Sequence, residues 1–343
     1  SAQTGQVLFL AGRDVTSTDN SLTVNADGAI RMASSSGIDF SGNGSVTLNA
    51  GDYIEIFEGT NINLQGDGVL TLNAANVTNT TRIGGDLTTA GSGGIAFNSN
   101  VTFNGSGNQS IDAGTGTLTT GGTISKNSGD LTLTGNAGID INGSVSANGG
   151  SVSLTGNGVD IDGSIEVYGT GNDVTIDSGS GALTVGSYVY INDGGASLTG
   201  TGVNVDDSIW AYGAGKDVTI DSGSDALIVD GYVYAARDAV LLSGDIVTVS
   251  GQIGAGNDTI VTAGNKITLG SASASGNVSV GSVSGDVEIN GPVESVNNNI
   301  SLTGNNITLA GDVTASNGDV DLNGTVFADG AGSQTFSAGN ALT

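Results

Sequence analysis

The chain has no cysteine, no histidine and a single proline, Pro292, and only seven of its 343 residues are basic, against 34 acidic ones. Lack of cysteine excludes a disulfide framework and any thiolate metal site. Lack of histidine removes the side chain most often used as a general base near neutral pH. No stretch approaches the roughly 18 consecutive apolar residues of a membrane-crossing helix, so no such helix is expected. The basic residues are Arg13, Arg31, Arg82, Arg237, Lys126, Lys216 and Lys266, and the formal charge is −27. A chain this acidic repels phosphate backbones and anionic head groups, so neither nucleic acid nor membrane insertion is expected. Glu, Lys, Arg and Gln are scarce, while Gly, Asn, Ser, Thr, Val and Ile abound. Those residues suit turns and strands and disfavour helix interiors, which predicts an all-β chain.

What is present is a repeat. The segment GTGNDVTIDSGSGALTVGSYVY from Gly169 returns as GAGKDVTIDSGSDALIVDGYVY from Gly213, a period of about 44 residues. Val174, Ala196, Val218 and Val240 divide it into steps of about 22, the size of one solenoid coil. Within a coil, short segments such as LTLT at Leu131, VSLT at Val152 and ISLT at Ile300 alternate aliphatic with Thr or Ser. That is strand periodicity, with turn residues following each strand.

Three aliphatic stripes can be traced from Leu22 onward. The first steps through Leu22, Val46, Leu70, Leu87, Ile111 and Leu131, and later through Val174, Val218, Val240, Ile260 and Val278. The second runs Ile30, Ile54, Val77, Ile95, Leu118 and Ile139, and the third runs Ile38, Ile62, Ile83, Val101, Ile124 and Val145. Three short strands per coil of about 20–24 residues, over roughly 15 coils, predict a right-handed parallel β-helix. Residues 1–343 are expected to form one β-solenoid domain, with 1–21 as an entry cap and 22–343 as coils. The short step from Leu70 to Leu87 predicts a bulge or shortened coil within residues 73–103. Neither end carries a charged cap, so continuation from coil to coil is expected, in a longer chain or between molecules.

The stretch GDLTLTGNAGIDINGSVSANGGSVSLTGNGVDIDGSI, Gly129 to Ile165, resembles the repeat regions of filamentous-haemagglutinin-like exoproteins, of the two-partner-secretion or autotransporter type, and the opening GQVLFLAGRDV is in the same style. The resemblance covers nearly the whole chain and rests on composition and period. It implies a secreted bacterial surface protein, part of a fibre or adhesin, whose partners are copies of itself or neighbouring surface proteins, end-to-end or laterally, or host and matrix glycans. The Asn-Pro-Asn-Gly-type motif of that family's secretion domain is absent, and no amphipathic barrel strands follow.

Two sets of residues are candidates for function. The first is aromatic. Tyr168, Tyr188, Tyr190, Trp210, Tyr212, Tyr232 and Tyr234 cluster in four neighbouring coils, and Tyr53 is the one tyrosine elsewhere. If Ile165, Val189, Ile209 and Val233 point inward, their successors Glu166, Tyr190, Trp210 and Tyr234 point outward and stack. The reading is a contact or glycan-binding face, against simple stabilisation of a β-ladder. The second set is acidic: Asp162, Asp206, Asp207 and Asp230, a ladder of like charges that is a candidate calcium site, against a solvated turn. GAGNDTIV from Gly254, with GTGNDVTI and GAGKDVTI, resembles fragments of the calcium-binding nonapeptide roll, but each occurs singly. No other cofactor is called for. The main alternative is a polysaccharide-active β-helix enzyme of the pectin-lyase-like or tail-spike kind. Such chemistry needs convergent carboxylates with a nearby base, and Asp206–Asp207, the adjacent pair, has no Lys or Arg in register. A non-enzymatic protein is therefore expected.

Overall fold

A computed structural model describes residues 5–75, 80–330 and 333–343; Val77 of the second stripe lies outside them. Among the described residues there are strands and no helix. The chain is an all-β parallel β-solenoid of about 15 coils, repeating about every 22 residues. The sequence shows one unbroken repeat, yet the contacts gather it into two compact units. One comprises Ser1–Gly169 with Thr175–Gly181, the other Thr170–Val174 with Ala182–Thr343.

In the first unit every coil contributes one short strand to each of three parallel ladders. The first ladder pairs Leu22 with Val46, Val46 with Leu70, Leu70 with Ile95 and Ile95 with Leu118. The second pairs Val15 with Ile38, Ile38 with Ile62, Ile62 with Leu87 and Leu87 with Ile111. The third pairs Ile30 with Ile54, Ile54 with Thr81, Thr81 with Val101 and Val101 with Ile124. These pairings correct the stripes. Leu70 and Leu87 belong to different ladders, so the step between them is not a coil, and each stripe changes ladder at that point; the third ladder has its short step from Thr81 to Val101. The physical reason is that β-x-β triplets such as Leu70–Leu72, Leu87–Thr89 and Ile95–Phe97 present the same inward–outward–inward pattern, buried at both ends. Alternation identifies the face of a strand but not the ladder it joins.

The second unit repeats the scheme, and coil length varies within both units. Turn-to-turn hydrogen bonds join residues 24 apart at Asp19–Asn43 and 20 apart at Ser144–Ser164 in the first unit. In the second they join residues 24 apart at Ser208–Tyr232 and 20 apart at Asp286–Asn306. Towards the carboxyl end the strands of successive ladders merge, as in Val240–Ala255 and Thr259–Ala274. Val240 pairs there with Thr259, not with Ile260. Thr259 and Val261 are buried and Ile260 is 37% exposed. The stripe position given to Ile260 is therefore wrong by one residue, and the whole local face reverses with it.

The interior is aliphatic, with inward Val, Ile and Leu almost wholly removed from solvent. A charged group is nevertheless buried in the first unit, Lys126. The Lys126 ammonium donates to the carbonyls of Gly105 and Gly107 and to Gln109 Oε1, each at 2.9 Å. Gln109 Oε1 also accepts the Gly105 N–H, and Gln109 Nε2 donates to the Ile83 carbonyl. Burial pulls the Lys126 ionisation below the ordinary lysine value, and the carboxylates of Asp130 and Glu58 oppose that shift. The charge is tolerated because three acceptors are built around it.

Between coils, side chains at the turns carry the hydrogen bonding. Asp19, Asn43 and Asp67 each accept the backbone N–H of the next coil, from Asn43, Asp67 and Ser92. In the second unit Asp258, Asn277, Asn299 and Asp319 do the same for Asn277, Asn299, Asp319 and Ala341. Along one outer face of the first unit the amides of Asn25, Asn49, Asn73 and Asn98 form a continuous ladder. Turns stack so tightly that a Cβ on Gly194 would lie 1.7 Å from the Asn172 carbonyl oxygen, which excludes every other residue there.

Candidate functional site

In the second unit the third ladder runs through Val189–Ile191, Ile209–Ala211 and Val233–Ala235. Val189 pairs with Ile209 and Ile209 with Val233, all three fully buried. Their successors Tyr190, Trp210 and Tyr234 are therefore in register and point outward, as the alternation predicts. Beyond Tyr234 the same outward column continues through Gly254, Ser273, Glu294 and Thr314.

The rings do not stack straight down that column. Tyr188 meets Trp210 at 5.9 Å between centroids, tilted by 55°. Tyr190 meets Tyr212 at 5.8 Å, and Tyr212 meets Tyr234 edge-on at 5.9 Å. Tilted and edge-on pairs at these separations favour the ring quadrupoles over face-to-face stacking. Five rings thus pair in two sets along one strip of the sheet, Tyr188 with Trp210 and Tyr212 with both Tyr190 and Tyr234. Tyr168 belongs to the other unit, where its hydroxyl donates to Glu166 Oε2 at 2.9 Å.

The strip ends in a cleft of about 140 Å³ lined by Trp210, Tyr232, Tyr234, Gln252, Gly254 and Ser273. Sequence reasoning singled out the three rings and missed the other three residues. The signal was present: with Ile253 and Ala272 inward, Gly254 and Ser273 must face out beside Tyr234, but a glycine draws no attention in a chain with 60 of them.

Of the acidic candidates, Asp206 and Asp230 follow the paired residues Val205 and Val229 one coil apart. Asp162 lies in the first unit and Asp206, Asp207 and Asp230 in the second. Asp206 Oδ1 accepts from Asn204 Nδ2 at 2.7 Å, and Asp207 Oδ1 accepts from the Ser208 hydroxyl at 3.0 Å. Among the described residues no group of three or more His, Cys, Asp or Glu side chains is placed to hold a metal ion. Asp140 and Asp160 are paired across neighbouring strands. Partial burial, with the neighbouring charges of Asp162 and Asp140, pushes the Asp160 carboxyl above its ordinary value.

The nonapeptide-like fragments have a structural use. Asp173, Asp217 and Asp258 accept the N–H of Gly195, Ala239 and Asn277 in the following coil. Asp173 Oδ2 also receives Lys216 Nζ at 2.7 Å. In the first unit Arg31 pairs with Glu55 at 2.7 Å and lies over Phe57, while Arg82 lies over Tyr53.

No family model matches the chain, and no curated protein or solved structure is significantly similar to it.

Proposed function

We propose that this chain is a non-enzymatic structural and adhesive β-solenoid, a segment or subunit of a bacterial surface fibre or adhesin of the filamentous-haemagglutinin-like kind. The observation that carries the reading is the aromatic strip from Tyr188 to Tyr234. Tyr212, Tyr232 and Tyr234 are each more than a third exposed. Inward Val and Ile already hold these strands, and ring pairing adds about 0.2–1 kcal/mol per pair to a ladder. Ladder stabilisation therefore does not account for gathering six rings on one outer face. Exposed Trp and Tyr on a rigid support are the usual anchors of a contact surface. The resemblance of the coils to bacterial exoproteins supports a surface exposed outside the cell, facing copies of the chain, neighbouring surface proteins or glycans.

The test is the Trp210→Ala, Tyr190→Ala double variant. Circular dichroism should be unchanged, because both side chains lie outside the core, while attachment to cells or matrix, or assembly seen by light scattering, should fall. A variant that attaches and assembles like the parent while melting lower would reduce the strip to a ladder and remove this reading.

A further inference from the structure

We infer that the cleft at the end of the aromatic strip binds one ring of a neutral polysaccharide. This rests on the contact-face reading and adds the chemistry of the ligand.

The cleft exists because Gly254 follows Tyr234 in the outward column. A Cβ on Gly254 would lie 2.8 Å from Tyr234 Cδ2, so the tyrosine ring rests on the glycine backbone. The column steps down there from aromatic to small residues, and the step is walled by Trp210, Tyr232 and Tyr234 with Gln252 and Ser273 alongside. Gln252 Nε2 donates to Ser273 Oγ at 2.9 Å, which fixes the amide. Within the described residues no hydrogen bond is made by Trp210 Nε1, by the Tyr232 or Tyr234 hydroxyls, or by Gln252 Oε1.

Aromatic faces beside unpaired N–H, O–H and amide groups match a molecule with an apolar face and a polar edge. A pyranose is such a molecule: its C–H face covers a ring and its hydroxyls need donors and acceptors in the plane of that ring. The volume suits one ring, being below the range for drug-sized ligands. Charge narrows the class. No Lys or Arg lines the cleft, and Glu294 stands in register one coil beyond Ser273. With a chain charge of −27, uronate, sialylated and sulfated sugars are repelled. A quaternary ammonium ion could use the rings but would leave the amide and hydroxyls without partners.

Trp210 is the only tryptophan, so its fluorescence reports on this cleft alone. The full chain is titrated with neutral tetrasaccharides of glucose, xylose and N-acetylglucosamine, with tetragalacturonate and choline as charged controls. At least one neutral sugar should change the emission saturably, and the controls should not. Gly254→Ala, which forces the Tyr234 ring off its seat, and Gln252→Ala should each weaken binding about tenfold or more, with circular dichroism as in the parent. Emission unmoved by every neutral sugar, a stronger response to tetragalacturonate or choline, or parental affinity in Gln252→Ala overturns the sugar assignment. Surface attachment separates the two readings. If no sugar binds but Trp210→Ala still loses attachment, the contact face stands and the sugar fails. If Trp210→Ala attaches normally as well, both fail.

Discussion

The two units use one coil plan and differ in their rings: the first buries phenylalanines, besides the half-buried Tyr53 and Phe57 and the exposed Tyr168, and the second gathers tyrosines and a tryptophan on its outside. In the first, Phe40, Phe97 and Phe103 are buried and the outward column of the third ladder reads Arg31, Glu55, Arg82, Thr102 and Ser125. In the second, the buried hydrophobic residues are Val, Ile, Leu and Ala, and the equivalent column carries Tyr190, Trp210 and Tyr234. The lesson is that backbone ladders and small inward residues are enough to hold a coil. Rings are then free to fill the interior or to face a partner.

The largest effect should come from breaking the inside–outside distinction itself. Val174 is fully buried and its neighbour Thr175 is exposed. Val174→Asp places an unpaired carboxylate in an aliphatic interior and should cost several kcal/mol, whereas Thr175→Asp should shift the melting temperature little. Equal losses would show that the interior is not the sole support.

Next comes the location of the rings. Phe103→Ala should cost about 3–5 kcal/mol through the cavity it leaves. Tyr232→Ala, removing a ring that is 52% exposed, should cost less than about 1 kcal/mol. Chemical denaturation of both variants checks the contrast, and comparable losses would mean that the outer strip is structural.

The polar plug sharpens the comparison further, because it puts a charge inside the first unit. Lys126→Ala orphans the carbonyls of Gly105 and Gly107 and should cost about 3 kcal/mol. Lys126→Met orphans the same carbonyls but fills the space and should cost less. A Met variant worse than the Ala variant would show that filling the space costs more than leaving room for water on the orphaned carbonyls.

The smallest effects are those of pH. The Asp67 carboxyl is held below its ordinary value by the Ser92 N–H and then by the Ser92 hydroxyl. Its contribution is present above the ordinary carboxylate range and is lost as pH falls through the depressed value. Asp160 is shifted upward, so its ionised form opposes folding at neutral pH. Asp67→Ala should therefore melt lower than the parent near pH 7, and Asp160→Asn slightly higher, with both differences shrinking on acidification. Melting curves across pH 3–7 decide it, and shifts of the same sign would contradict the assignment.

Much of this was legible in the sequence. Period, alternation and turn residues led to a parallel β-solenoid, and the outward register of Tyr190, Trp210 and Tyr234 followed from Val189, Ile209 and Val233. Ladder membership was not legible, because Leu70, Leu87 and Ile95 begin triplets of the same pattern and only the three-dimensional path separates them. Ile260 misled because Thr-Ile-Val-Thr alternates equally well in either phase. Lys126 could have been found, since Ile124 inward places it inward too, but a lysine is rarely assigned to a core. The cleft stayed hidden because its decisive residue, Gly254, acts by lacking a side chain.

The turn acceptors have a consequence for how such a chain can grow. Asp173 addresses Gly195, and Asp217 addresses Ala239. Gly195 and Ala239 have no polar side chain with which to pass the bond on. Each bond therefore lies inside one period of about 44 residues, begun at Gly169 or at Gly213, and neither spans the seam between them. A period copied whole brings its own inter-coil bond with it. Part of the acidity that looks like a surface property is a joining device of this kind, suited to growth by tandem duplication.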